Sequence, residues 1–298
     1  MKHYFTLIFC FFSFFTIAQS KDTAILEVKY KFSYVYDTTK PDQPVLETMR
    51  LFVGRNCSKY ESYDYFYEDS LQSASLGEKI APDGRRVIGY KYFSNTIRFK
   101  NPNTLYVFRN PSKSLNKFRF MKEVEFLYEP NMANISWEIT TEKNIIKGIA
   151  CQKAKGWCKG RLYEAWFAPG IPFSAGPLKL SGLPGLIIEA TDSLKQVSFQ
   201  LESIADISQR KYIIEIPNKA IKTTSDKFKL ILDAFNENPF ILMKFYQFPN
   251  SNVNTDEIAD QFFKDNAELM NKIKMDNSRK PKIVNNNPIE LPEKQSIY

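Results

Sequence analysis

From Leu26 to Tyr36 the chain alternates. Leu26, Val28, Tyr30, Phe32, Tyr34 and Tyr36 are apolar or aromatic, and Glu27, Lys29, Lys31 and Ser33 between them are polar, with Val35 the exception. Period two over that length predicts a half-buried antiparallel strand. Asp37 to Pro44 carries two prolines and reads as a turn, after which Leu51-Phe52-Val53 runs into Gly54. Further strands are predicted at 87–93, 96–99, 105–108, 118–121, 124–128 and 135–140, punctuated by Pro82-Asp83-Gly84, Asn101-Pro102 and Asn110-Pro111. Residues 144–155 and 160–167 read as a hairpin turning at Lys155-Gly156, residues 186–190 and 197–204 as a second one, and residues 212–216 as a last strand. The pattern changes period late in the chain. Ser225 caps a helix over about 225–235 with Phe228, Ile231, Leu232 and Phe235 on one face. Thr255 caps a second over 256–274 with Ile258, Phe262, Leu269 and Ile273 on its apolar face. About a dozen short strands followed by two helices predict an α+β, predominantly antiparallel β domain: a large curved sheet or half-barrel backed by the two C-terminal helices.

The ends differ from the body. Residues 1–18 read as a signal peptide, with a basic start at Lys2-His3, an apolar stretch from Leu7 to Ile17, and small residues ahead of Gln19. Residues 19–275 are then a single domain and 276–298 a loose polar tail with three prolines. An exported, soluble protein without a transmembrane segment in its mature form is expected, periplasmic or associated with the outer envelope. The net charge of +8 comes from basic residues scattered among acids, which suits a solvated surface and not a nucleic-acid site.

The only histidine is His3, inside the leader. The mature chain therefore lacks a Ser-His-Asp or Cys-His couple and any histidine-based zinc site. No catalytic residue, metal site or cofactor is expected. Of the cysteines, Cys57, Cys151 and Cys158 lie beyond the leader, an odd number, and Cys151 and Cys158 flank the expected Lys155-Gly156 turn, so a bridge between them is plausible.

The most distinctive stretch is Gly176 to Ala190. Gly182-Leu183-Pro184-Gly185 suits a type II turn with Gly185 at positive φ, feeding the buried strand Leu186-Ile187-Ile188. Lys143 to Gly148, Cys151 to Ala154, Gly160-Arg161, Ala165-Trp166-Phe167, Ile171-Pro172, Gly176-Pro177 and Gly182-Leu-Pro-Gly-Leu-Ile187 together resemble the GLPGLI family of exported Gram-negative envelope proteins. Phe52-Val53-Gly54 with Ser58-Lys59-Tyr60 is similar to that family's upstream strand pair. Leu178 and Cys158 depart from its pattern. The resemblance implies kinship and an envelope location, and it brings no activity with it.

Candidate binding residues are few. Arg161, beside a glycine, suits a bidentate grip on a carboxylate or a pairing with a hairpin acid. Tyr163, Trp166 and Lys179 lie in the same distinctive region, and Tyr60, Tyr63 and Tyr65 mark an aromatic face. The chain is expected to be a non-enzymatic envelope protein that binds an apolar ligand or an envelope protein partner. The alternatives are a structural or assembly partner of an outer-membrane complex and, third, a histidine-free hydrolase using paired carboxylates.

Overall fold

The computed structural model describes residues 21–67, 101–109, 112–121, 124–237 and 287–290, with short pieces at 70, 79–80, 86–87, 264 and 267. The expected leader, the strands at 87–93 and 96–99 and the helix at 256–274 lie outside the described residues, apart from positions 87, 264 and 267.

The alternating run becomes the longest strand and the hub of the sheet. β1 (Asp22–Tyr34) pairs antiparallel with β2 (Val45–Gly54), which pairs with β3 (Cys57–Ser62). Two short strands, β4 (Lys79–Ile80) and β5 (Arg86–Val87), pair with each other. The main sheet continues through β6 (Asn103–Arg109), β7 (Ser112–Met121) and β8 (Val124–Tyr128). A second meander follows: β9 (Glu138–Ile146), β10 (Ile149–Cys158), β11 (Arg161–Ala168), β12 (Leu186–Asp192) and β13 (Val197–Asp206). β13 returns to β1 and joins the two meanders, β14 (Ile213–Ile214) adds to β1, and β15 (Ile221–Lys222) adds parallel to β8. Among the described residues the result is an open sheet of 13 strands whose edges, β15 and β9, do not meet, in place of the expected curved half-barrel.

One face of this sheet makes the main core. Val28, Tyr30, Phe32 and Tyr34 on β1 join Met49, Leu51 and Val53 on β2 and Ala165 and Phe167 on β11. The chain between β11 and β12 covers them: Ala175, Leu180 and Leu183 are buried, and the Tyr30 hydroxyl donates to the Ile187 carbonyl at 2.7 Å. The longest described helix, α1 (Ser225–Glu237), packs Phe228 on Phe118, Phe126 and Tyr128 at the β7–β8 end. It covers only that end of the sheet; among the described residues the segment before β12 covers the centre. No helix among the described residues is long and apolar enough to cross a membrane.

Three local expectations are corrected. The hairpin turn is not at Lys155-Gly156, because β10 runs straight through it. The turns fall at Lys147-Gly148 and Lys159-Gly160, where both residues of each pair have positive φ (48° and 82°, 46° and 72°), as two-residue hairpin loops of the primed type require. Gly156 serves packing instead: a Cβ there would lie 2.7 Å from Trp137 Cε3. Consequently Cys151 and Cys158 sit at opposite ends of one extended strand, about 23 Å apart at roughly 3.3 Å per residue, and both are free thiols. They cannot bridge without rebuilding the strand. Gly185 does not carry the positive φ expected of it; Gly182 does, at 97°. The Gly185 N–H donates to the Leu183 carbonyl at 2.8 Å, a tight turn centred on Pro184. Gly185 is needed because a Cβ would lie 2.3 Å from the Ala168 carbonyl oxygen.

Candidate functional site

Two hairpin turns and the end of β1 meet at one corner of the sheet. Arg161 is the first residue of β11, directly after the Lys159-Gly160 turn, and Asp192 is the last of β12. Asp192 Oδ1 accepts the backbone N–H groups of Gln196 and Val197 at 2.7 and 2.8 Å, which fixes the β12–β13 turn. Its other oxygen accepts from Arg161 Nη1 at 2.7 Å, and Gln196 Oε1 accepts from the same nitrogen at 3.2 Å. Val35 N–H donates to the Gln196 carbonyl at 2.8 Å, drawing the end of β1 into the same corner.

Into this corner comes a piece of the chain from far away in sequence. Residues 287–290, Asn-Pro-Ile-Glu, lie across Arg161. Arg161 Nε donates to the Ile289 carbonyl at 2.9 Å, and Nη2 donates to the Pro288 carbonyl at 2.8 Å and to Asn287 Oδ1. The Tyr34 hydroxyl donates to the Asn287 carbonyl, and the Asn287 amide donates to the Val35 carbonyl. Lys179 pairs with Glu290 at 2.5 Å and also donates to the Asn131 carbonyl at 2.9 Å. Ile289 packs on the edge of the main core. Three consecutive main-chain carbonyls, 287 to 289, thus accept hydrogen bonds from side chains of the body.

Every N–H of the Arg161 guanidinium has an acceptor. Two bonds hold it to the body, through Asp192 and Gln196, and three hold the segment. A guanidinium offers five donors in a fixed planar fork, so the group is fully used. This is the condition under which a buried charge is tolerated.

Beside the segment lies a residual cavity of about 10 Å³, lined by Cys158, Tyr163, Leu178, Lys179, Ile289 and Glu290 among others. That is room for a single water. Burial pushes the Cys158 thiol up to about 11, and the Glu290 carboxylate adds to the shift. Burial likewise pushes the Tyr163 hydroxyl well above its ordinary value. Neither group is poised for proton transfer near neutral pH. Among the described residues no three His, Cys, Asp or Glu side chains gather to hold a metal ion. What Arg161 and Lys179 hold here is the chain's own segment 287–290.

Of the residues singled out in the sequence, Arg161, Tyr163 and Lys179 converge here. Trp166 is half-buried elsewhere on β11, with the Lys153 ammonium 5.4 Å from its ring. Tyr60 is a core residue, 4% exposed, and not part of an exposed face. Tyr63 and Tyr65 are half-buried on a helical turn at 63–67, where Tyr63 stacks on Tyr67 beneath the Lys29 ammonium. In the motif, Leu183, Leu186 and Ile187 are buried, while Gly182, Pro184 and Gly185 shape the approach to β12. Sequence reasoning missed Tyr34, Val35, Asp192, Gln196 and the 287–290 segment. The signal for the last is Asn287-Pro288-Ile289, an apolar residue after a turn pair inside a polar tail. At those positions the tail is not loose.

Residues 157–189 match the profile of a family described as a protein of unknown function (Porph_ging). The match contains Arg161, Tyr163, Lys179 and the whole Gly182–Ile187 hexapeptide. No curated protein matches the chain. Two crystal forms of PNGF-II, in space groups P21 and C2, are similar at 12% identity with a TM-score of 0.46, covering 69% of this chain and 32% of theirs. The chain thus spans about a third of the length of these solved structures. That similarity is too weak to carry a functional reading.

Proposed function

We propose that this chain is an exported, non-enzymatic protein of the cell envelope that holds an extended segment of a partner protein in the Arg161 cleft. One observation carries the reading: a buried arginine, pinned by Asp192, spends three of its five donors on a four-residue polypeptide segment. Reading main-chain carbonyls with fixed donors gives affinity largely independent of sequence, and pockets for alternate side chains add selectivity. Between the two ligand classes expected from the sequence, an apolar molecule and a protein, the cleft favours the protein. The space left beside the segment is about 10 Å³, and the rest of the corner is filled by polypeptide. A role as assembly partner in the envelope is the same chemistry in a larger complex.

We also read the chain as a member of the GLPGLI family. The match at 157–189, which includes the hexapeptide, supports that.

The test uses a chain ending at Asn286, which vacates the cleft, and a fluorescent peptide spanning Asn286–Pro292. Saturable one-to-one binding, seen as a rise in anisotropy and lost on Arg161→Ala, is the expected result. A folded, shortened chain that leaves the peptide unbound would refute the reading.

A further inference from the structure

We infer that residues 287–290 are a resident stand-in for the partner, and that the cleft selects a segment of the form Asn-Pro-apolar-acidic which must displace them. This rests on the peptide-cleft reading above and adds to it the chemistry of the partner and the control of access.

The four positions of the segment meet four different demands. Asn287 is read twice by its side chain: its carbonyl oxygen accepts from Arg161 and its amide donates to the Val35 carbonyl. Only an amide of that length offers an acceptor and a donor together; aspartate would set a carboxylate oxygen against a carbonyl. Pro288 contributes a carbonyl to Arg161 and brings no N–H needing a partner. Ile289 places an apolar side chain on the main core beside Cys158, Tyr163 and Leu178. Glu290 meets Lys179, whose side chain is 14% exposed. Acceptor-donor, proline, apolar, acid is therefore a code that the body reads with Arg161, Val35, the core edge and Lys179.

The same contacts explain control. With the segment in place Arg161 is 2% exposed, so no partner reaches it. When the segment leaves, three guanidinium donors lose their acceptors while Asp192 and Gln196 keep the group aimed. The vacant cleft thus stays organised for a replacement of the same chemistry. Because the segment belongs to the chain itself, it competes at an effective concentration of roughly millimolar. A free peptide binding the vacant cleft at about 10 µM then sees the intact chain as roughly 100-fold weaker.

The experiment compares three proteins with the labelled Asn286–Pro292 peptide: the intact chain, the chain ending at Asn286, and the intact chain carrying a protease site between Val284 and Asn285, cut after folding. Tight binding to the shortened chain and binding to the intact chain weakened by about 100-fold are expected. The cut chain should lose its own tail on gel filtration and then bind the labelled peptide as well as the shortened chain does. Changing the peptide's Asn287→Asp or Glu290→Lys should each cost at least 10-fold. Equal binding by intact and shortened chains overturns the control while leaving the cleft standing. Equal binding of the Asp and Asn peptides overturns the code. If the shortened chain fails to fold, the cut chain decides: a cut chain that never takes up labelled peptide overturns both the inference and the cleft.

Discussion

The Arg161 guanidinium and the Asp192 carboxylate form an ion pair at 2.7 Å, with only 1% of either side chain exposed. Asp192 also accepts two backbone N–H groups of its own turn, so the pair ties the β10–β11 and β12–β13 hairpins together. Removing one partner leaves the other charge buried and uncompensated, which typically costs 3–5 kcal/mol. Asp192→Asn should therefore lose about 3 kcal/mol or more in urea denaturation. The double variant Arg161→Met/Asp192→Leu should lose clearly less than the two single changes added together. A strictly additive cycle would mean that the two groups do not support one another.

The glycines of the hexapeptide make distinct predictions. Gly182 has φ 97°, and a Cβ there meets nothing nearer than 3.7 Å, so Gly182→Ala should cost only the backbone strain of about 1–2 kcal/mol. Gly185 has no such φ, but a Cβ would lie 2.3 Å from the Ala168 carbonyl oxygen. Backbone must move, and Gly185→Ala should cost about 3 kcal/mol. Thermal unfolding of the two variants checks the order. A milder effect at 185 than at 182 would contradict the packing described here.

The thiols offer a chemical check. Cys57, Cys151 and Cys158 are buried and unbridged. Burial pushes Cys57 up to about 12 and Cys158 up to about 11, so little thiolate exists at pH 8. Iodoacetamide should leave all three untouched in the native protein and label all three in denaturant without prior reduction. An intact mass 2 Da short, with two thiols refractory in denaturant, would signal a bridge.

Two carboxylates should shift stability with pH in opposite senses. Burial pushes the Glu125 carboxyl up, but Lys117 and Arg119 outweigh it and hold the group below its ordinary value near 4.5. Its folded value is depressed, so its contribution is present above pH 4.5 and fades as pH falls through the folded value. Glu125→Gln should lose stability at pH 7 and converge on the parent in acid. Glu189 is the mirror case. Burial raises it above 4.5 and outweighs the Leu201 N–H and Lys147. Ionising it costs stability above its folded value, so Glu189→Gln should gain at pH 7 and gain nothing near pH 4. Urea denaturation from pH 3 to 8 checks both.

The β1 strand was legible because one of its faces is buried in the core while the other carries charges, which imposes period two on the sequence. The hairpin turns were legible only in kind. Lys155-Gly156 and Lys159-Gly160 look alike locally, and what separates them is Trp137 resting on Gly156, a contact made by the segment that leads into β9. The same holds for Gly185, whose role depends on the Ala168 carbonyl, whereas Gly182 is required by its own φ. The tendency of Arg161 to meet a hairpin acid could be read from its place beside a glycine. Its grip on residues 287–290 could not, because a contact across 126 or more residues of sequence leaves no periodic trace.

The most direct measurement is the NMR signal of the Arg161 Nε–H, which donates to the Ile289 carbonyl at 2.9 Å. In the intact chain it should be protected from solvent exchange. It should lose that protection in the chain ending at Asn286 and regain it when the Asn286–Pro292 peptide is added. A signal that stays protected without the tail, or that the peptide fails to restore, would contradict a cleft built to hold polypeptide.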